Sequence, residues 1–241
     1  MEGIIVRRVI PSDNSCLFNA VGYVMEHDKN KAPELRQVLI FHILILLTAL
    51  FVLVGRSGME FSWPFDCVLS SENVPYEVIA ATVASDPVKY SEAFLGKSNQ
   101  EYCSWIQDPE KWGGAIELSI LADYYGREIA AYDIQTTRCD LYGQEKKYSE
   151  RVMLIYDGLH YDALAISPFE GAPEEFDQTI FPVQKGRTIG PAEDLALKLV
   201  KEQQRKKTYT DTANFTLRCG VCQIGVIGQK VIPSTLFLNS K

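Results

Sequence analysis

The sequence predicts an α+β domain, a small central sheet flanked by helices, and three observations carry that prediction. Residues 128–134, 152–156 and 160–166 are short runs rich in aliphatic and aromatic residues, read as strands. Apolar residues recur at helical spacing from Cys16, from Tyr102 and from Ile116, with capping signals beside the last two. Hydrophobic residues make up 46% and charged residues 23% of the 241 positions, near globular averages, so the chain can bury a core and wholesale disorder is excluded. That length suits one domain with a small appendage, and no repeat period is visible.

Taken in order, residues 3–10 suit a strand that stops at Pro11 and enters the loop Pro11-Ser12-Asp13-Asn14-Ser15. From Cys16 the period changes, with Leu17, Val21 and Val24 at helical spacing, so Cys16 stands at or near a helix N-terminus. Residues 38–54 are apolar except for His42 and Thr48, at the lower edge of the roughly 17–25 residues a membrane helix needs. Residues 61–76 read as loop. Ser85-Asp86-Pro87 reads as a helix start that Gly96 ends. Ser98-Asn99-Gln100-Glu101 fits a capping box opening the next helix, and Ala115 to Tyr125 is a further helix with Gly126 at its C-terminus. A polar, hairpin-like connection is expected between the first two late strands. Asp157-Gly158 makes a tight turn into the third. The domain is expected to close near Pro168, giving a 3–168 domain, a 169–191 linker, and a 192–241 segment with a charged helix and Cys219-Gly220-Val221-Cys222.

Lys and Arg number 24 and Asp and Glu 31, a net −7 that disfavours nucleic acid as a partner. Six cysteines are too sparse for a disulfide scaffold, and the first ten residues hold no apolar signal region. This places the chain in the reducing cytoplasm or nucleus with free thiols.

A cysteine at a helix N-terminus gains thiolate character from unpaired amides and the helix dipole, and the same amides can hold an oxyanion. Three histidines are available as a base. His42 lies in the apolar run and His27 closes a helix beside Asp28, whereas His160 follows a turn at the start of a strand. Residues two apart on a strand share a face, so Asp162 can hold the ring nitrogen that His160 does not use on the thiol. Cys16, His160 and Asp162 then stand as nucleophile, base and orienter. By themselves, such residues are more often a small buried hydrophobe and polar surface.

The strings Pro11 to Phe18, Asn99-Gln100-Glu101-Tyr102-Cys103, Trp112-Gly113-Gly114-Ala115 and Tyr156-Asp157-Gly158-Leu159-His160-Tyr161-Asp162 resemble the OTU (ovarian tumour) cysteine proteases, in particular the OTU1-type deubiquitinases. The resemblance implies a papain-like fold. It also implies hydrolysis of the isopeptide bond after the ubiquitin C-terminal Gly-Gly, through thiolate attack and an acyl-enzyme, without cofactor or metal. Cys16 matches the family nucleophile, His160 the base, Asp162 the orienter and Asp13 the aspartate counted with the active site. Asn14, Trp112, Gly113, Gly114, Tyr156, Leu159 and Tyr161 match substrate-binding positions. Trp112 serves equally as a core anchor, and Asp13 equally as a turn residue. Cys103 reads as core, while Cys67 and Cys139 fall in loops. Implied partners are ubiquitin, polyubiquitin chains and ubiquitinated quality-control or ER-associated degradation substrates.

Three departures stand out. Cys219-x-x-Cys222 looks like half of the branch's C-terminal zinc finger, with no histidine after it, so stable zinc is not expected. The ubiquitin-like domain that docks many relatives to a Cdc48-type ATPase would precede Gly3, and recruitment by that route is not expected. Residues 39–78 form an insertion, since Leu35-Arg36-Gln37-Val38 reads on into Ile79-Ala80-Ala81-Thr82 as one helix. It suits an unspliced or alternative transcript, membrane contact through 38–54 being the disfavoured alternative. One spanning helix would part Cys16 from His160. An insertion there also allows a ubiquitin-binding or catalytically impaired isoform, and an apolar stretch without a core to enter is expected to reduce solubility.

Overall fold

The computed structural model describes residues 3–36, 78–212, 214, 216–218 and 225–227. Strand β1 (Ile4–Arg8) leads through the Pro11 loop into α1 (Cys16–Glu26) and the short α2 (Ala32–Arg36). Past the undescribed stretch come α3 (Ile79–Ser85), α4 (Glu92–Leu95), α5 (Asn99–Gln107) and α6 (Ala115–Tyr125). Then follow β2 (Glu128–Asp133), β3 (Cys139–Tyr142), β4 (Glu150–Tyr156), β5 (Tyr161–Ser167), β6 (Phe181–Pro182), α7 (Pro191–Arg205) and the ladder of β7 (Thr216–Arg218) with β8 (Gly225–Ile227).

The expected mixture of strands and helices is present as a mixed sheet in the order β1-β5-β4-β2-β3, with β6 added against β4. Side chains alternate across it. On β4, Val152 and Leu154 pack with α1, α3 and α6, while Met153 and Ile155 pack with Phe181 and the α7 residues Ala192, Ala196 and Val200. Both sheet faces are therefore covered by helix, and β4 and β2 read as nearly continuous apolar runs for that reason. Helix α1 is buried all along Leu17 to Met25, so the amphipathic helix expected there is a core helix instead. Its polar Asn19 is satisfied, since its side-chain carbonyl accepts the Ala32 amide at 3.0 Å.

Several local expectations hold in detail. Ser98 and Glu101 form a reciprocal capping box, and Gly96 and Gly126 end their helices in the left-handed region, at φ 74° and 61°. Others are corrected. Pro87 to Tyr90 form a turn, and the helix that Gly96 ends starts only at Glu92. The connection between β2 and β4 contains β3, which forms the hairpin with β2, and β2 runs parallel to β4. Cys139 opens that extra strand rather than lying in a loop. Strand β3 is short and at the sheet edge with little burial, so it lacks the apolar signature that marks a strand in sequence. Packing also continues past Pro168. Gln178 bridges to Ile166, β6 pairs with β4, and α7 buries its apolar face on the sheet, so the 169–191 stretch is woven into the same core.

Of the insertion, only Val78 is described. It is buried, and its carbonyl accepts the Thr82 amide at 3.1 Å, so it is the N-cap of α3. The apolar run 38–54, His42, Cys67, Cys219 and Cys222 lie outside the described residues. No helix among the described residues is long and apolar enough to cross a membrane.

Candidate active site

The loop after β1 is shaped by Asp13. Its Oδ1 accepts the Ser15 amide at 2.8 Å and its Oδ2 takes the Asn19 side-chain amide at 3.4 Å. The Asp13 carboxylate is thereby occupied in turning the chain, which is the turn alternative left open for it. The turn delivers Cys16 as the first residue of α1, where amides have no partner within the helix. The backbone N–H groups of Leu17 and Tyr161 point at the Cys16 sulfur.

These amides favour a thiolate, but burial pushes the Cys16 thiol up and outweighs them, with the Asp13 and Asp162 charges adding to the rise. The helix terminus alone therefore does not activate the cysteine, contrary to the thiolate character expected from its position. A base is required.

His160 is the candidate. Its Nε2 lies 3.1 Å from Asp162 Oδ1 and 3.2 Å from the Ile10 carbonyl oxygen. Both neighbours are acceptors, so in the neutral ring Nε2 carries the proton and Nδ1 keeps the lone pair that can take one from a thiol. Asp162 is only 1% exposed and gathers three donors, since Oδ1 also accepts the Ile10 amide at 2.7 Å and Oδ2 accepts Arg7 Nε at 2.6 Å. The shared strand face expected of His160 and Asp162 is realised at the start of β5. The turn before it needs glycine: Gly158 has φ 101°, and a Cβ there would stand 2.3 Å from the Thr210 carbonyl oxygen.

A cavity of about 150 Å³ opens beside the sulfur, lined by Asn14, Cys16, Leu17, Trp112, Gly113, Gly114, Tyr156, Leu159 and Tyr161. All seven positions matched to substrate binding thus converge there. Trp112 is 50% exposed, so it is a channel wall rather than the core anchor that the sequence left equally open. Its Nε1 donates to Asn14 Oδ1 at 2.6 Å, bridging the two walls. Gly113 presses on α1, where a Cβ would meet the Phe18 ring at 2.8 Å, and the Gly114 amide is held by Glu117 at 2.6 Å. A larger hollow of about 360 Å³ behind the cysteine loop is lined by Asp13, Ser15 and Arg36 among others, but includes neither Cys16 nor His160.

Sequence reasoning missed Arg36. It is 2% exposed and lies over the Phe18 ring. Through Nη2 it donates to the Asn14 carbonyl (2.8 Å), Ser15 Oγ (3.1 Å) and the Lys111 carbonyl (2.7 Å), and through Nη1 to the Ile106 (3.2 Å) and Asp108 (3.0 Å) carbonyls. One buried guanidinium thus fastens the cysteine loop to the Trp112 loop, and burial lowers its affinity for its proton. Nothing local marks it, because its five acceptors are contributed by distant loops. Arg7, which reaches Asp162 and Asp157 from the other end of the chain, was missed for the same reason.

Together the half-buried cysteine at a helix start, the oriented imidazole and the narrow channel define a cysteine-dependent acyl-transfer hydrolase on a mixed α+β scaffold. The chain belongs to the OTU-like cysteine protease family, which it matches over residues 11–163. It is 68% identical over 95% of its length to the Arabidopsis thaliana "OVARIAN TUMOR DOMAIN-containing deubiquitinating enzyme 2", covering 91% of that protein. It is 40% identical to the Danio rerio "Ubiquitin thioesterase OTU1" over 94% of this chain and 61% of the relative. The Homo sapiens protein of that name is 39% identical over 94% and 53%. The chain therefore spans little more than half of those two relatives. Among solved structures, an OTU domain in complex with ubiquitin superposes with a TM-score of 0.58 at 22% identity, over 86% of this chain and 90% of that one, a likeness of fold.

Residues 213–231 match the C-terminal C2H2-type zinc finger of ubiquitin thioesterase OTU1. The β7–β8 ladder lies within that match. The matched stretch holds two thiols, Cys219 and Cys222, and no histidine, so its donor set does not complete a tetrahedral zinc site. Among the described residues no cluster of His, Cys, Asp and Glu could hold a metal ion.

Proposed function

We propose that the chain is a thiol-dependent deubiquitinase, cleaving the isopeptide bond between the ubiquitin C-terminal glycine and a substrate lysine. The observation that carries this reading is the convergence of Trp112-Gly113-Gly114 with Tyr156, Leu159 and Tyr161 on Cys16, with His160 between Leu159 and Tyr161 in the chain and its Nε2 held by Asp162 so that Nδ1 is left free. In the reaction, His160 Nδ1 takes the thiol proton as sulfur attacks the glycine carbonyl carbon. The oxyanion forms against amides at the start of α1. Collapse expels the lysine amine, which receives that proton from His160, and leaves a thioester on Cys16. His160 then takes a proton from water as the oxygen attacks the thioester carbon, and the C–S bond breaks to release the carboxylate while His160 returns the proton to the Cys16 sulfur. Walls as close as Trp112 and Gly113 admit a tail without side chains and reject bulkier ones by overlap.

Action on polyubiquitin chains and ubiquitinated quality-control or ER-associated degradation substrates, in the cytoplasm or nucleus, belongs to the same proposal. The described cysteines, Cys16, Cys103 and Cys139, are all free thiols, as a reducing compartment would keep them. Incubation with ubiquitin bearing a thiol-reactive C-terminus is expected to yield an adduct at Cys16 that Cys16→Ala abolishes. Absence of an adduct, where a related enzyme reacts, refutes the reading. A second reading, a binding-competent but impaired isoform, is favoured by one feature: Arg36, which fastens the cysteine loop, lies just before the insertion. Ubiquitin binding without labelling, restored by deleting 39–77 so that Val38 joins Val78, would select it.

A further inference from the structure

Arg7 takes no part in the reaction as written, yet it touches both groups that hold the base. It stands opposite Leu164 in the β1–β5 register, on the face it shares with Asp162 two residues away. Its Nε donates to Asp162 Oδ2 at 2.6 Å, and its Nη2 reaches Asp157 Oδ2 at 3.4 Å. The two carboxylates tether His160 from different sides. Asp162 Oδ1 receives the ring Nε2 at 3.1 Å, whereas Asp157 Oδ1 accepts the backbone amides of Leu159 at 3.1 Å and His160 at 2.9 Å. One fixes the ring and the other fixes the turn from which the ring hangs.

We infer that Arg7 is a positioning residue that locks the ring-orienting carboxylate and the turn-capping carboxylate into one unit, so that the His160 ring keeps the orientation in which Nε2 is held and Nδ1 is left free to take a proton. The inference rests on the reading of His160 as base. A carboxylate held through one oxygen alone can swing about its terminal torsion, which is soft and two-fold. With the Ile10 amide on Oδ1 and the Arg7 guanidinium on Oδ2, the Asp162 carboxylate plane is pinned from both ends. The planar fork of arginine serves two carboxylates at once, which the compact ammonium of lysine does less well. A bond spent only on joining β1 to β5 would be worth little to turnover, as partly exposed ion pairs usually are. Arg7 differs because both of its partners end on the same histidine.

The test uses the full chain as wild type, Arg7→Gln and Arg7→Lys. With ubiquitin carrying a C-terminal aminocoumarin, Arg7→Gln is expected to lower kcat about tenfold, the scale of a small misplacement of a reacting group, and to leave KM within about twofold. Arg7→Lys recovers part of the loss. Alkylation of Cys16 by iodoacetamide, followed by mass spectrometry, supplies a readout without ubiquitin. Arg7→Gln should slow it in the wild-type background and leave it unchanged in the His160→Ala background. Equal slowing in both backgrounds, or a raised KM with unaltered kcat, overturns the inference, since either means that Arg7 acts on the fold at large. If Arg7→Gln fails to fold, Asp157→Asn, which weakens one of the two arms, should show the same pattern at smaller size, and its absence overturns the inference equally. A wild type inert toward the ubiquitin substrate whose alkylation still depends on Arg7 through His160 removes the proposed function and leaves Arg7 in place. Normal turnover in Arg7→Gln does the reverse.

Discussion

Replacing Asp162 with asparagine keeps the shape of the side chain and removes one acceptor from a site where three donors meet. The Ile10 amide and His160 Nε2 approach Oδ1 at 2.7 and 3.1 Å, and Arg7 Nε approaches Oδ2 at 2.6 Å. An asparagine carbonyl can face only one of these two sides, so its NH2 must confront a donor on the other. If the NH2 faces Ile10 and His160, a buried amide is orphaned and the imidazole is driven into the tautomer with its proton on Nδ1, where it cannot accept from Cys16. If it faces Arg7, the charged bond is lost, but the Arg7 side chain is 23% exposed and can turn to water. Ile10 is fully buried and cannot. The second orientation therefore wins, with a cost of about 2 kcal/mol for the lost charge-assisted bond, or a fall in Tm of roughly 4–8 °C for a chain of this size. The working tautomer survives, so kcat/KM should fall by about 10- to 100-fold through the missing charge on the imidazolium, less than for His160→Ala. Steady-state kinetics on a fluorogenic ubiquitin substrate and thermal unfolding of the same preparations read both quantities. A loss of about 10⁴-fold, the size associated with the wrong tautomer, would refute the argument that solvent access to Arg7 decides the orientation.

Trp112→Ala should leave Tm within about 2–4 °C, because a half-exposed ring on a channel wall contributes little burial, while KM for ubiquitin substrates rises severalfold; a large loss of stability would return Trp112 to the core. The Asp177 carboxyl, opposed by burial, is nevertheless held below its usual range by Arg8 and the Tyr23 hydroxyl, which contact it at 2.6 Å each. A depressed folded value stabilises the native state above the unfolded carboxylate pKa of about 3.9, and the contribution is lost as pH falls through the folded value. Asp177→Asn should therefore melt well below wild type at pH 7 and close on it below about pH 4, whereas a constant gap would show that the ion pair contributes nothing pH-dependent.

Local chemistry alone determined much of the site. The change of period at Cys16 placed the thiol at a helix start, Ser98 and Glu101 announced their cap, Gly126 its helix end, and the strand alternation put Asp162 on the face of His160. Each of these rules acts within about four residues, so the sequence carries it whole. Tertiary structure decided the rest, because it depends on groups brought together across the chain. The parallel pairing of β2 with β4, and the edge strand β3 between them, follow from how apolar faces of several elements are covered, which no single run encodes. Trp112 is a channel wall rather than a core anchor because the Asn14 loop meets it from 98 residues away. Burial turned the Cys16 thiol away from the thiolate that its helix terminus favours. Arg36 and Arg7 read as ordinary surface cations until the fold aims distant carbonyls and carboxylates at them. A charge is recognisable in a sequence, but its partners across the fold are not, and those partners determine whether it binds solvent or holds an active site in register.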